Sequence, residues 1–145
     1  MTQQPYSRPV PIPQPESDFF WRKAREHELW VRQCRDCSVA YFYPRDICPS
    51  CFSTNTTWVR SSGKGTLYSF AIVHQALHPA FADAVPYVVA MVELEEGART
   101  PTNLVDVEPD PAKIRIGMRV EVIFDDVTPS VTLPKFRPAD SEERI

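Results

Sequence analysis

The chain has 145 residues, of which 43% are hydrophobic and 24% are charged, and its formal net charge is -3. This length predicts one domain, or one domain with a small appendage, with enough buried surface to support a core. No apolar run reaches the about 18 residues that a membrane-spanning helix requires, so we expect no membrane partner.

The N-terminal segment, residues 1–16, is predicted to be a proline-rich extended arm. Its alternating prolines disfavour a helix and favour a polyproline-like conformation. A disordered tail and a partner-binding arm fit this composition equally well. Because Met1–Gln14 is polar and contains no apolar signal segment, we expect a cytoplasmic protein.

A short helix is predicted to follow the arm, from about Asp18 to His27. Ser17 is its expected N-cap, and His27 is expected to interact with the dipole at its end. Three adjacent aromatic residues lie near its start, namely Phe19, Phe20 and Trp21. They exceed what one short helix face can bury, so either the helix lies across the domain or these residues contact a partner subunit.

Four cysteines form two Cys-x-x-Cys pairs: Cys34, Cys37, Cys48 and Cys51. Each pair can form a tight turn around an ion, here called a knuckle, and the ten residues between the pairs allow a short hairpin. Four thiolates with no open position form a closed structural zinc site. The spacing therefore predicts a zinc ribbon, which with the preceding helix occupies residues 17–60.

Other fates of the thiols remain open: iron in a rubredoxin-type site, free thiols, or two disulfides. Disulfides are disfavoured because a chain without an export signal is expected in a reducing compartment. The predicted ribbon strands, Leu29–Gln33 and Val39–Tyr43, flank the first knuckle, and Tyr41, Phe42 and Tyr43 are expected to cover the sulfurs. With almost no core of its own, this module should unfold when the metal is removed.

Residues 61–138 are predicted to form a mainly β domain, and residues 139–145 a polar tail. The five expected strands are Thr66–His74, Tyr87–Leu94, Thr102–Val107, Met118–Phe124 and Val131–Phe136. Five strands suit a small barrel of the OB-fold type, whereas an immunoglobulin-like sandwich needs about seven. The glycines of Ser61–Gly65 are interpreted as a bend at the start of a curved strand, because the spacing of a phosphate-binding loop is absent.

Evidence for catalysis is weak. The chain has no Gly-x-Ser-x-Gly motif, and its cysteines are better explained as metal ligands. His74 and His78, with Asp83 nearby, are the residues we consider for a stand-alone hydrolase. Loop histidines are more often solvated or locally hydrogen-bonded than catalytic.

A single-stranded nucleic-acid-binding module is the main alternative function. OB-fold barrels that bind oligonucleotides use their second and third strands as a stacking platform with cationic flanks. Those two predicted strands contain Glu93 and Asp106 and no lysine or arginine. Residues 65–145 carry thirteen acidic and seven basic side chains, whereas residues 22–64 carry four acidic and eight basic ones. A polyanion would be repelled from the barrel, so we expect no nucleic-acid partner.

Taken together, these features resemble the DUF35 family, which joins a rubredoxin-like zinc ribbon to an OB-fold and is described as acyl-CoA-associated. The similarity extends from about Phe19 to Pro138. Besides the aromatic helix and the cysteine pairs, the matching segments are Pro44-Arg45, Ser62-Gly63-Lys64-Gly65-Thr66, Pro86-Tyr87-Val88-Val89-Ala90, Ile116-Gly117-Met118-Arg119-Val120 and Phe136-Arg137-Pro138. One departure is that the family usually has glycine after the second cysteine of each knuckle, where this chain has Ser38 and Phe52.

The resemblance implies a non-catalytic subunit of a hetero-oligomer. Such proteins accompany thiolase-fold enzymes: thiolases, acyltransferases, or lipid-transfer-protein-like aldolases that cleave steroid side-chain CoA thioesters. The partner performs the chemistry, and this chain would help form the complex and border the acyl-CoA site. The basic residues that we expect to contact the CoA phosphates are Arg35, Arg45 and Lys64.

Overall fold

A computed structural model describes residues 6–139, and the predictions for residues 1–5 and 140–145 lie outside this range. The described part contains one α-helix, α1 (Asp18–Arg25). A ribbon sheet is formed by β1 (Trp30–Cys34), β2 (Ala40–Tyr41) and β3 (Thr56–Arg60). A barrel is formed by β4 (Lys64–Val73), β5 (Tyr87–Leu94), β6 (Arg99–Leu104), β7 (Arg119–Asp126) and β8 (Thr132–Pro138). No helix of residues 6–139 is long and apolar enough to cross a membrane.

The start of α1 differs from the prediction. Ser17 makes no side-chain cap and has helical dihedral angles instead of the extended conformation typical of an N-cap. Its hydroxyl accepts a hydrogen bond from the Gln14 N–H at 3.0 Å, which fixes the preceding turn. Asp18 lies in the first turn, where a carboxylate interacts favourably with the helix dipole, and it pairs with Arg22 at 2.8 Å.

The end of α1 also differs. The helix ends at Arg25, and His27 follows with a positive φ of 62°. The His27 ring stacks on Phe124 with a centroid distance of 5.1 Å, and its Nε2 lies 3.0 Å from an oxygen of Asp126. In place of the predicted interaction with the helix dipole, the His27 ring joins the end of α1 to β7.

The ribbon sheet is antiparallel with the order β2-β1-β3. Val31 on β1 is 1% exposed, and it belongs to the same hydrophobic cluster as Phe20 of α1 and Val92 and Phe136 of the barrel. The ribbon therefore shares its core with the barrel. Only Cys34, Tyr41 and Cys48 form a separate buried cluster, so the ribbon has almost no core of its own.

The barrel is closed, with the strand order β4-β5-β6-β8-β7. This is the first-second-third-fifth-fourth order of an OB-fold, so the predicted five-stranded barrel is confirmed. Its closure is narrow, because β6 and β8 pair in parallel at the single position Leu104–Phe136. A further hydrogen bond at this seam runs from the Val105 N–H to the Phe136 carbonyl at 2.8 Å.

The predicted bounds of one barrel strand were wrong. Whereas β5 has the predicted bounds, β6 begins at Arg99 and ends at Leu104, three residues before each predicted bound. The cause is a tight turn in which the Leu94 N–H donates to Ala98 and Gly97 has a φ of 102°. The third barrel strand therefore does contain a basic residue, and Arg99 pairs with Glu93 at 3.0 Å.

Candidate metal centre

The two knuckles bring the four cysteine sulfurs together. The first knuckle begins at Cys34, the last residue of β1, and the second lies in the connection between β2 and β3. All four Sγ atoms lie within 4.8 Å of one another. Two Sγ pairs, each joining one knuckle to the other, are 3.6 Å apart: Cys34 with Cys51 and Cys37 with Cys48.

These distances fit a four-thiolate metal site. A tetrahedral zinc ion with Zn–S bonds of about 2.3 Å separates its sulfurs by about 3.8 Å, close to the 3.6 Å observed. Disulfide sulfurs are about 2.05 Å apart, and all four cysteines are free, so the disulfide alternative was wrong. Iron takes the same four ligands in a rubredoxin-type site, and the donor set accommodates either ion.

Both knuckles adopt the conformation that usually requires glycine. Ser38 and Phe52 have φ values of 67° and 63°. The Ser38 N–H donates to the Cys34 carbonyl at 3.0 Å, and the Phe52 N–H donates to the Cys48 carbonyl at 2.9 Å. The departure from the family pattern therefore leaves the knuckle geometry intact, at a cost of about 1–2 kcal/mol for each non-glycine residue.

Backbone amides point towards the sulfurs and favour the thiolate form. The Cys37 N–H lies 3.5 Å from the Cys34 sulfur, and the Ser50 N–H lies 3.4 Å from the Cys48 sulfur. The pKa of Cys34 is lowered to about 7, chiefly by the Cys37 amide. Metal-binding cysteines act as thiolates, so the lowered pKa favours Cys34 as a ligand. Although the Val39 amide lowers it, the pKa of Cys37 is instead raised, because burial and the Cys48 sulfur outweigh that amide.

Side chains outside the cysteines join the two knuckles. The Asp36 carboxylate accepts hydrogen bonds from the Ser53 hydroxyl at 2.5 Å and the Asn55 side-chain amide at 3.0 Å. These bonds lower the pKa of Asp36, Ser53 contributing more than Asn55. Sequence reasoning missed this trio, and its only signal in the sequence is proximity to the cysteines.

Only one of the three aromatic residues predicted to cover the sulfurs does so. Tyr41 forms a small buried cluster with Cys34 and Cys48. The Phe42 ring packs against Phe20 with a centroid distance of 5.3 Å, and Tyr43 lies beneath the Arg45 guanidinium. The strand β2 ends at Tyr41, and the two side chains that follow it pack against other residues.

The aromatic residues predicted to contact a partner are largely used by the fold. Phe20 is 3% exposed and lies in the core, so its assignment to a partner surface was wrong. The Phe19 ring packs against Trp30 and Trp58 with centroid distances of 5.3 and 4.7 Å. Trp21 is half-buried and packs against the same core. The helix lies across the domain, which was the other reading of this aromatic run.

The three predicted phosphate-binding cations lie on separate segments. Arg35 is exposed on the first knuckle. Arg45 lies between the knuckles, 3.3 Å from Glu16. Lys64 begins β4 and lines a surface groove that also contains acidic residues, namely Glu93, Glu95 and Glu121.

The residues considered for hydrolysis all lie between β4 and β5, and two of them make other contacts. His78 Nδ1 accepts the Ala80 N–H at 3.0 Å and caps the short 3-10 turn Pro79–Phe81. Asp83 pairs with Arg8 at 3.1 Å, and His74 is exposed at the end of β4. His78 therefore has a structural role, and Asp83 is engaged by an arginine.

Two family models match the chain in succession. Residues 21–57 match the "ChsH2, rubredoxin-like zinc ribbon domain", and residues 58–125 match the "ChsH2, C-terminal OB-fold domain". A chain of the structure titled "Ltp2-ChsH2(DUF35) aldolase" is 39% identical, with a TM-score of 0.76 over 90% of this chain and 99% of that chain. These similarities agree with the ribbon, the barrel and the cysteine geometry described above.

Two curated relatives differ in the share of their length that is matched. A "Probable enoyl-CoA hydratase alpha subunit" of Thermomonospora curvata is 40% identical over 94% of this chain, and the chain spans only 41% of that relative. A "DUF35 domain-containing scaffold protein" of Methanocaldococcus jannaschii is 40% identical over 72% of this chain and 73% of its own length. Because family models match both the ribbon and the barrel, and because this DUF35 relative is matched over most of its length, the chain belongs to the DUF35 family.

Proposed function

We propose that this chain is a non-catalytic subunit of a hetero-oligomeric enzyme whose catalytic partner is a thiolase-fold or lipid-transfer-protein-like protein. The observation that carries the proposal is the similarity, over 90% of this chain, to a chain of an aldolase named for two components. The relatives named as an alpha subunit and a scaffold protein support the same role. The engagement of His78 and Asp83 in structural contacts is consistent with chemistry performed by the partner.

We propose further that the chain borders the acyl-CoA site of that partner. Arg35, Arg45 and Lys64 remain the candidates for contact with the CoA phosphates. Among residues 6–139, Arg35 and Lys64 form no ion pair, whereas Arg45 lies beside Glu16. Arg35 is the strongest candidate, because its guanidinium is exposed and suited to bidentate phosphate binding.

The ion that we propose for the four cysteines is zinc, in a structural role. Four protein thiolates leave no open coordination position, so the ion would stabilise the knuckles and bind no substrate. Metal analysis of protein purified without chelators tests this, and we expect zinc in equal amount to the chain. Protein that is folded and free of metal would contradict the proposal, and iron in place of zinc would correct it.

Co-expression with a lipid-transfer-protein-like aldolase or thiolase from the same genome tests the subunit role. We expect the two chains to co-elute in size-exclusion chromatography, with a mass that corresponds to a hetero-oligomer. Acyl-CoA turnover should require the partner, and this chain should add to the activity of the pair. Turnover by the isolated chain at the rate of the pair, or a monomer without affinity for the partner, would overturn the proposal.

A charge variant tests the contribution to the acyl-CoA site. We expect Arg35→Gln to raise the KM of the assembled pair for acyl-CoA and to leave kcat nearly unchanged, because a phosphate contact acts in substrate binding. Arg60→Gln is the matched control, since Arg60 is also an exposed ribbon arginine, weakly paired with Glu28 at 3.8 Å. Equal effects of the two variants would exclude a specific contact by Arg35.

A further inference from the structure

A small apolar cavity lies between the N-terminal segment, the β4–β5 connection and the barrel. We call it the Arg8 cavity, and its volume is about 210 Å³. Its apolar wall includes Phe81, Ala84, Tyr87 and Leu104. The volume is below the about 300–1,000 Å³ typical of sites for drug-sized ligands, so it suits a short aliphatic chain or a single ring.

The charged groups that line the Arg8 cavity are both cations. They are Arg8 and Lys135, and no carboxylate of residues 6–139 lines the cavity. Lys135 Nζ lies 2.6 Å from Asp125, so its charge is already compensated. Arg8 pairs with Asp83 at 3.1 Å, but the Asp83 side chain is 86% exposed. Such a solvated pair contributes only about 0–1 kcal/mol, and a carboxylate inside the cavity could replace Asp83.

Arg8 is held in place before any ligand binds. Its Nε donates to the Ala80 carbonyl at 3.1 Å, and its guanidinium lies 5.2 Å from the centre of the Phe81 ring. These contacts fix the guanidinium beside the aromatic wall and leave further N–H donors of the planar group for another acceptor. The proline-rich segment thus supplies one wall of the cavity.

We propose that the Arg8 cavity binds a small carboxylate with an apolar body. The apolar body would be buried against Phe81, Tyr87 and Leu104, and the carboxylate would accept hydrogen bonds from Arg8. The geometry favours an anion because Arg8 lines the cavity, its pair with Asp83 is solvated, and no carboxylate of residues 6–139 lines the cavity. The site is separate from the cysteine cluster, and the proposal does not depend on the partner enzyme.

Isothermal titration calorimetry on the full, metal-loaded chain tests the proposal. Octanoate and phenylacetate serve as the chain and ring probes, and octanol and octylamine serve as neutral and cationic controls. We expect at least one carboxylate to bind about tenfold more tightly than both controls, the scale of one charge-assisted hydrogen bond. The carboxylate that binds more tightly shows whether the cavity prefers an aliphatic chain or a ring.

Variants locate the binding. Arg8→Gln should weaken carboxylate binding about tenfold, whereas Arg60→Gln, which removes a more exposed and weakly paired arginine elsewhere, should leave it unchanged. Ala84→Phe fills the cavity and should abolish binding. If thermal unfolding shows that Ala84→Phe is not folded, Val105→Phe, at another position that lines the cavity, serves as the cavity-filling variant.

Three results would overturn the proposal. The first is that neither carboxylate binds the wild-type chain. The second is that octylamine or octanol binds as tightly as the carboxylates, because the cations would then have no role. The third is that a folded cavity-filling variant, or Arg8→Gln, binds the carboxylate as the wild type does.

Discussion

Ser38 and Phe52 occupy equivalent positions in the two knuckles, and both have left-handed backbones with φ values of 67° and 63°. Each residue follows the second cysteine of its pair and donates its N–H to the carbonyl of the first. The Phe52 side chain is 75% exposed, so its ring gains little from burial. The metal-binding turn therefore determines the backbone conformation, although neither residue favours it.

Glycine at either position should stabilise the protein. We expect Ser38→Gly and Phe52→Gly each to raise the free energy of unfolding by about 0.5–1 kcal/mol, because the left-handed cost is relieved and the entropic cost of glycine offsets only part of it. Chemical denaturation of the metal-loaded protein measures the change. Val39→Gly is the matched control: Val39 lies in the same knuckle without a positive φ, and this variant should be destabilised. Destabilisation by all three glycines would contradict the argument.

Metal removal should loosen the knuckles before the barrel. The knuckle turns are held by hydrogen bonds such as that from the Cys37 N–H to the Cys34 sulfur, whereas Val31 of β1 is anchored in the shared core. With a chelator, we expect rapid hydrogen exchange in residues 34–55 and continued protection of β5. Equal loss of protection in both segments would mean that the metal stabilises the whole fold.

The fold class was accessible from the sequence because its signals are local. The paired cysteines predict a ribbon by their spacing alone, and the apolar run Tyr87–Leu94 gives the bounds of β5 correctly. The position of β6 depends instead on the tight turn before it and on the register that pairs Glu93 with Arg99. Such a register is a property of two strands together, and residue patterns within one strand do not determine it.

Contacts between distant segments were not predictable in the same way. Arg8 and Asp83 are 75 positions apart, and His27 and Asp126 are 99 apart. A histidine after a helix and an arginine among prolines have simple local explanations, and only the packing of the chain reveals their partners. The Arg8 cavity arises from such a contact, and no local residue pattern indicates it.

Gly65 should not tolerate a side chain, for a steric reason. Its φ is not positive, but a methyl group at this position would collide with the backbone carbonyl of Glu93 on β5. We expect Gly65→Ala to lower the free energy of unfolding by about 1–3 kcal/mol, the range of overpacked sites. Thr66→Ala at the next, exposed position is the control and should change stability little. A Gly65→Ala protein as stable as this control would show that the two strands separate easily.

The contact that joins α1 to the barrel should make stability depend on pH. Hydrogen bonds from Thr132 at 2.5 Å and, more weakly, from His27 lower the pKa of Asp126 below its ordinary value. A carboxyl whose pKa is lower in the folded state stabilises the fold fully above the unfolded-state pKa of about 3.9. This stabilisation is lost as the pH falls through the lower, folded-state pKa.

Asp126→Asn removes this titration, so its deficit in unfolding free energy relative to the wild type should be largest near neutral pH and should shrink in acid. Thr132→Val removes the stronger hydrogen bond while keeping a side chain of similar size, and it should show the same trend. Urea denaturation at a series of pH values measures the difference for both variants. A deficit that stays constant from neutral to acidic pH would show that the ionised carboxylate does not hold α1 to β7.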